Sequence, residues 1–307
     1  MLKERYEVLS IEDVAERQCD FDIVHVLDIK HFEPSLLRNI KSPLIVDVHD
    51  CYWMKGESLF PSPDMAIRLM LSWRRRVSYQ YVLREASAVI VHSRYVLSRL
   101  GHENVYVVPY AVEDVKPGIR LKERPPFVVF AGRDYFRKGL PLLLDAWDSV
   151  RRMCPGARLF IVGKEYPHER FLFSRLKMDK TISFLGGLER MKLLDYMRQA
   201  RAVVLPSWTE AFGIVLIEAM AAGAIAIGTN SAGITEALRY GEAGFLVERG
   251  DKHALAEAIL RTLDDDSRLE MLVERGLGVA KEHSVKAMMD SLELVYLDVM
   301  RKSKGQR

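Results

Sequence analysis

The sequence is poor in cysteine, holds no long apolar run and carries little net charge, and each shortage excludes something. Cys19, Cys51 and Cys154 are the three cysteines in 307 residues, and no Cys-x-x-Cys occurs. They give neither a disulfide framework nor a cysteine zinc site, and they fit a reducing compartment. No stretch reaches the roughly 18 apolar residues of a membrane span. The opening Met-Leu-Lys-Glu-Arg-Tyr-Glu has no apolar signal-peptide core, so a cytoplasmic protein is expected. The 45 Lys and Arg against 42 Asp and Glu leave +3, too even to argue for nucleic acid. Neither G-x-G-x-x-G nor G-K-[ST] is present, which removes the dinucleotide fingerprint and the P-loop. No Asp-x-Asp stands at a strand end, and Asp264-Asp265-Asp266 follows a helix like a solvated surface run. No metal and no cofactor is therefore expected.

What is present is an alternation of short apolar runs with longer amphipathic ones. Strands are predicted at 6–9, 23–27, 44–48, 88–91, 105–108, 127–131, 158–162, 182–185, 202–205, 224–228 and 244–247. Helices are predicted between them, among others at 63–85, 140–153, 190–199 and 252–264. This order predicts an α/β fold with parallel sheets covered by helices, whose ligands sit at the carboxyl ends of the strands. The polar, proline-bearing segment Val112–Pro126 reads as an interdomain linker. The expected units are 1–112, then 113–284, with a helix over 285–302 returning to the first. The basic tail 301–307 is expected to fray.

The stretch from Ser207 to Gly223 organises the rest. It follows the apolar run Ala202–Leu205 and becomes helical near Phe212 or Gly213. Glu218 is anomalous there, a carboxylate among Ile, Val, Leu, Ala and Met. Burying it is costly unless it is paired or hydrogen-bonded, and no Lys or Arg lies within one helical turn. Its partner comes either from elsewhere in the fold or from a ligand. The amides of Ala211–Gly213 stand at a helix N-terminus, which suits phosphate or a sugar oxygen. A second loop, Gly132-Arg133-Asp134-Tyr135-Phe136-Arg137-Lys138-Gly139, follows a strand and precedes a helix. Arg133 offers a bidentate fork and Lys138 a point charge, unless both are solvated loop cations. His49 ends a buried strand, and is either on the ligand side of a parallel sheet or an exposed loop histidine. Over 65–85, Arg74-Arg75-Arg76 stand beside Leu69, Met70, Leu71 and Trp73, which fits either an anionic lipid surface or a solvated face.

These pieces resemble, in order and spacing, the retaining nucleotide-sugar-dependent glycosyltransferases of family 4. The match runs through Phe130-Ala-Gly-Arg…Lys138-Gly139, Leu159–Gly163, Phe184-Leu-Gly186, Pro206–Gly223, Gly233-Ile-Thr-Glu236 and Gly244–Val247. It continues more loosely in Asp22-Ile-Val-His25, Val46–Asp50, Ala88–Ser93 and Val107-Val-Pro109. The resemblance implies the GT-B architecture, two Rossmann-like domains facing across a cleft. It implies that Glu218 binds the donor ribose and that Glu210 contacts the donor sugar. It places the amides of Phe212, Gly213 and Ile214 at sugar and diphosphate, and Arg133 and Lys138 on the departing diphosphate. His49 would sit beside the sugar from the facing domain. The implied partners are a UDP- or GDP-sugar and a glycan or lipid-linked acceptor. Peripheral contact with the inner membrane surface, and a second copy or partner subunit, are further expectations. Only 21 residues precede Asp22 and no glycine-rich loop lies among them, so the first domain is expected to be shortened or to start upstream. That shortage leaves a second reading, a non-catalytic nucleotide-sugar-binding protein.

Overall fold

The computed structural model describes residues 21–32, 34–50, 65–164, 179–264 and 268–305. The expected strand over 6–9 lies outside them. Two all-parallel sheets carry the fold. The first has four strands in sequence order: β1 (Val24–Val26), β2 (Leu44–Val48), β3 (Ala88–Val91) and β4 (Val105–Val107). The second contains β5 (Phe127–Ala131), β6 (Arg158–Val162), β7 (Ile182–Gly186), β8 (Ala202–Leu205), β9 (Ile225–Thr229) and β10 (Gly244–Val247). Its order is β10-β9-β8-β5-β6-β7. From β5 the chain winds outward one way through β6 and β7, then returns to β8 and winds the other way. The carboxyl ends of β5 and β8 therefore flank the point where strand order reverses, and a crevice opens there in doubly wound sheets.

The central strands are continuous apolar runs because helices cover both faces. Alternation along β5 divides the two cores. Val128 and Phe130 pack under Leu143 and Trp147 of α3 (Leu140–Met153) and Leu255 and Ile259 of α7 (Lys252–Leu263). Phe127, Val129 and Ala131 face Leu194 and Met197 of α4 (Arg190–Gln199) and Ala219 of α5 (Ile214–Ala221). In the first sheet, Leu44, Val46 and Val48 lie against Tyr79, Val82 and Leu83 of α1 (Met65–Glu85) and Val96 of α2 (Arg94–Arg99). The other face, Ile45, Ala88 and Ile90, is covered from the far end of the chain. Leu292, Val295 and Val299 of α9 (Val285–Gly305) pack there. Each such apolar side chain contributes about 1.5–3 kcal/mol by leaving water.

One expectation changes, at the tail, while the linker gains a structure. The segment Val112–Pro126 lies between the two sheets and is packed: Leu121 and Arg124 are buried in it. Arg124 donates to Ile119 O at 2.9 Å and to Ala200 O at 2.8 Å, and burial pushes its guanidinium down to about 10. Gly118 N donates to Ala222 O at 3.1 Å, and a short 3-10 turn, Leu121–Glu123, follows. The tail does not fray at residue 301, since α9 runs on to Gly305. Lys302 holds that end, reaching Asp298 at 2.9 Å and the Tyr106 hydroxyl at 3.0 Å. Two further helices, α6 (Ala232–Ala237) and α8 (Arg268–Glu282), complete the second unit.

Candidate active site

The loops after β5 and β8 meet at the reversal point. They are tied through the backbone, Trp208 N donating to Arg137 O at 2.9 Å. Gly139 makes that approach feasible. Its φ is +75°, and a Cβ there would stand 1.9 Å from Pro206 O. A side chain at this position is thus excluded both by conformation and by space.

The two loops bring charged groups together. The Lys138 ammonium donates to Glu210 Oε2, and Arg137 Nη1 approaches the same oxygen at 3.4 Å. Arg137 Nε also pairs with Asp134 Oδ2 at 3.2 Å. Burial pushes the Lys138 pKa down, while the Glu210 carboxylate opposes that shift. Sequence reasoning assigned Lys138 to the diphosphate and Glu210 to the sugar; the folded protein pairs them with each other. Arg133, by contrast, is exposed, with no side-chain partner among the described residues. Arg137 was missed, although the run Phe-Arg-Lys-Gly sets it beside Lys138.

Gly213 caps α5 with φ +90°, so the chain turns sharply from Phe212 into the helix. Phe212 is buried and Ile214 half-buried. One turn further on, Glu218 is only 7% exposed, and its partner comes from elsewhere in the fold. Arg190, at the start of α4, places Nη2 2.8 Å from Glu218 Oε1 and Nε 3.0 Å from Glu113 Oε1. Burial pushes the Glu218 pKa up, and Arg190 pulls it back. The Arg190 side chain is 43% exposed, so the acid meets a solvent-reaching cation rather than an internal one. Twenty-seven residues separate Glu218 from Arg190, and helix periodicity in the sequence carries no trace of that pairing.

His49 follows β2 and faces the second unit through a ring stack. Its Nδ1 lies 3.2 Å from the Tyr110 hydroxyl, which itself donates to His49 O at 2.9 Å. The His49 and His92 rings stack at 4.6 Å, His92 and Tyr110 at 4.0 Å, and Tyr110 meets Phe212 at 5.8 Å. His49 is thereby joined to the Glu210–Gly213 loop by aromatic contacts. Other bonds cross at the same level. Ser93 caps α2 by accepting from Val96 N at 3.1 Å, and its hydroxyl donates to Ala211 O at 2.9 Å. Glu236 of α6 accepts from the amides of Arg94 at 2.9 Å and Tyr95 at 3.1 Å, a carboxylate on a helix N-terminus. A Cβ on Gly233 would stand 2.3 Å from Glu210 O, so glycine lets α6 lie against the loop. His92 and Tyr110 were not singled out in the sequence. The signal for His92 was the same as for His49, a histidine directly after an apolar parallel strand.

Asp47, His49 and His92 hold ligand-capable atoms within 4.8 Å of one another. Asp47 Oδ1 is already bonded to His25 Nε2 at 2.8 Å, and both His49 nitrogens have partners, Tyr110 and Leu27 O. His92 Nδ1 bonds Val108 O at 2.9 Å, leaving only Nε2 without one.

Burial lowers the His92 pKa to about 4 from 6.5. The unfolded chain protonates this ring below its ordinary pKa, whereas the folded chain resists until about 4. Stability therefore falls as the pH drops through that window, by about 3 kcal/mol in total. His283, also depressed by burial, acts with the same sign. Melting temperature measured against pH checks this: between pH 6.5 and 4 the parent loses more stability than His92→Gln. Equal slopes in the two proteins count against it.

Comparison with known proteins gives the family and the fold. Residues 112–278 match the family Glycosyl transferases group 1. The chain is 28% identical over 287 residues to phosphatidyl-myo-inositol mannosyltransferase of Mycobacterium leprae, covering 90% of this chain and 73% of that one. It is 26% identical over 318 residues to a D-inositol 3-phosphate glycosyltransferase of Corynebacterium aurimucosum, covering 92% and 73%. Among solved structures, sucrose-phosphate synthase of Thermosynechococcus elongatus superposes with TM-score 0.77 at 22% identity, over 92% of this chain and 74% of that one. The Anabaena protein HepE, solved with UDP-glucose, gives 0.71 at 19% identity, over 93% and 80%. The family match covers more than half of the chain and takes in both loops that meet beside β5 and β8, so this protein belongs to the group 1 glycosyl transferases and has their GT-B fold.

Proposed function

We propose that the chain is a metal-independent retaining hexosyltransferase, moving a sugar from a UDP- or GDP-sugar to a glycan or lipid-linked acceptor. The observation that carries this reading is the meeting of Lys138, Arg137 and Glu210 beside the N-terminus of α5, where strand order reverses. Negative charge grows on the diphosphate as the sugar's anomeric bond breaks. Cations and amides fixed in advance stabilise that charge more than the ground state. In this reading the incoming diphosphate takes Lys138 from Glu210, which frees the Glu210 carboxylate for the sugar hydroxyls. Exposed Arg133 supplies a second cation, and the Phe212–Ile214 amides line the helix end. Glu218 accepts the ribose hydroxyls when Arg190 yields to the donor. His49 presents its carbonyl or ring to the anomeric carbon.

The same proposal divides the chain into 1–112 and 113–284, with 285–302 returning to the first. The two separate sheets and the packing of α9 support that division. It also makes the protein cytoplasmic; among the described residues no helix is long and apolar enough to cross a membrane.

Incubation with a panel of UDP- and GDP-sugars tests it, reading transfer to acceptor and slow donor hydrolysis. Turnover is expected with at least one donor, and the α-anomer of an α-linked donor is expected to persist in the product. Donor binding with neither transfer nor hydrolysis overturns the catalytic reading. Treatment with EDTA is expected to leave turnover within about twofold, because the Asp47, His49 and His92 trio is engaged internally. A loss of activity that a divalent cation restores would give that trio a metal.

A further inference from the structure

The helix α1 carries two different faces. Tyr79, Val82 and Leu83 are buried against the first sheet. Leu69, Trp73, Val77 and Tyr81, spaced four apart, point the other way and are 42%, 67%, 57% and 48% exposed. Steps of four residues advance about 40° past a full turn, so the four occupy one arc of the helix. Met70, 56% exposed, falls within that arc. An arc of large apolar side chains facing solvent on one helix marks an interaction surface.

Its charge points to the partner. Over Met65–Glu85 the sequence has five arginines (68, 74, 75, 76 and 84) and a single acid, Glu85, a balance of 5 − 1 = +4. Arg74, Arg75 and Arg84 are exposed and have no ion-pair partner among the described residues. Arg84 falls on the exposed arc and Arg74 just beside it, whereas Arg75 lies on the side of Tyr79 and Val82. An apolar arc with aromatic members and flanking arginines is the chemistry of a helix lying in a lipid interface. Trp and Tyr rings settle at headgroup depth, and the guanidinium groups meet acidic headgroups.

We propose that α1 docks the protein on anionic phospholipid, with Leu69, Trp73, Val77 and Tyr81 entering the interface and Arg74 and Arg84 on the headgroups. The placement suits the chemistry. Because β2 and β3 run parallel, α1 begins at the sheet edge where β2 ends, the edge that carries His49. Docking through the first turns of α1 brings that edge to the membrane, where a lipid-linked acceptor would be presented. The docking itself stands whether or not the sugar-transfer reading holds.

Vesicle flotation with the full chain tests it, using phosphatidylcholine with phosphatidylglycerol against phosphatidylcholine alone. The parent is expected to float with the anionic vesicles only, and less so at high salt. Arg74→Glu with Arg84→Glu is expected to weaken binding by about tenfold or more. Trp73→Ser with Val77→Ser is expected to weaken it on anionic vesicles as well. Met271→Ser, exposed on α8, is a control expected to bind like the parent. All positions changed are on the surface, and unchanged melting temperatures verify that the variants fold. Three results overturn the proposal: no flotation of the parent, variants that bind like the parent, or a self-associated parent that Trp73→Ser renders monomeric without affecting flotation. The last result would make this face a protein interface.

Discussion

Lys138→Ala is expected to lower kcat for sugar transfer by about 100- to 1,000-fold while leaving donor affinity within a few-fold. The range follows from removing one charge-stabilising donor from a preorganised site, worth about 2.7–4 kcal/mol of barrier. Lys138 fits that role because its side chain is 14% exposed and already aimed by an ion pair. A buried cation does not have to be reoriented as charge develops, and few waters screen it. Truncation should leave the protein folded, since Arg137 remains 3.4 Å from the Glu210 carboxylate. The measurement is kcat and KM for the parent, for Lys138→Ala, for Glu210→Gln and for the double variant. Equal losses in kcat and kcat/KM assign Lys138 to the transition state. A rise in KM with kcat unchanged would show that it only binds the donor. If Lys138 and Glu210 act on one substrate as a unit, the double variant loses much less than the product of the two single losses.

The second large effect concerns Glu218. Glu218→Gln keeps the shape and removes the charge, and it is expected to weaken donor binding by about 10- to 100-fold. That corresponds to hydrogen bonds from ribose hydroxyls to a charged acceptor, about 1.5–3 kcal/mol. The ion pair with Arg190 makes a competing account available, in which the acid only anchors α4 to α5. Arg190→Ala separates the two. Its side chain is 43% exposed, so water can take its place beside the buried carboxylate, and an unchanged melting temperature verifies that the variant folds. If the ribose is the acid's ligand, Arg190→Ala leaves donor affinity equal or tighter, because the carboxylate no longer has to be released. Calorimetric titration of the nucleotide sugar into each variant decides it. Glu218→Gln binding as tightly as the parent removes Glu218 from the donor site.

Much of the second sheet was legible because its strands are covered on both faces. Runs such as Phe127–Ala131 and Ala202–Leu205 have to be apolar throughout, and turn residues follow them. The same holds for β2, where one acid, Asp47, interrupts the pattern and then proves to be paired with His25. The short helix Arg94–Arg99 left little trace. It has six residues, too few to establish a period, and it forms because Ser93 and Glu236 satisfy its first amides. The packed path of Val112–Pro126 was also hidden. Proline-rich polar sequence reads as a connector, whereas Arg124 is held by carbonyls at residues 119, 200 and 222.

The candidate site divides in the same way. The local pattern pointed to Glu218 as a buried acid and to Arg133 and Lys138 as cations after a strand, and Glu210 came in only through the family resemblance. Which of them touch one another was decided by packing: Lys138 with Glu210, 72 residues apart, Glu218 with Arg190, and His49 with Tyr110, 61 residues apart. The Tyr296 hydroxyl on α9 lies 2.6 Å from His25 Nδ1 across 271 residues. Periodicity and turn chemistry act over a few residues, so the sequence by itself determined the ten strands of the described residues, most of their helices and the chemical types at their ends. Contacts between distant segments depend on how sheets wind and which faces are buried, so only the tertiary structure decided the ion pairs, the ring stack from His49 to Phe212 and the exposure of the arc on α1.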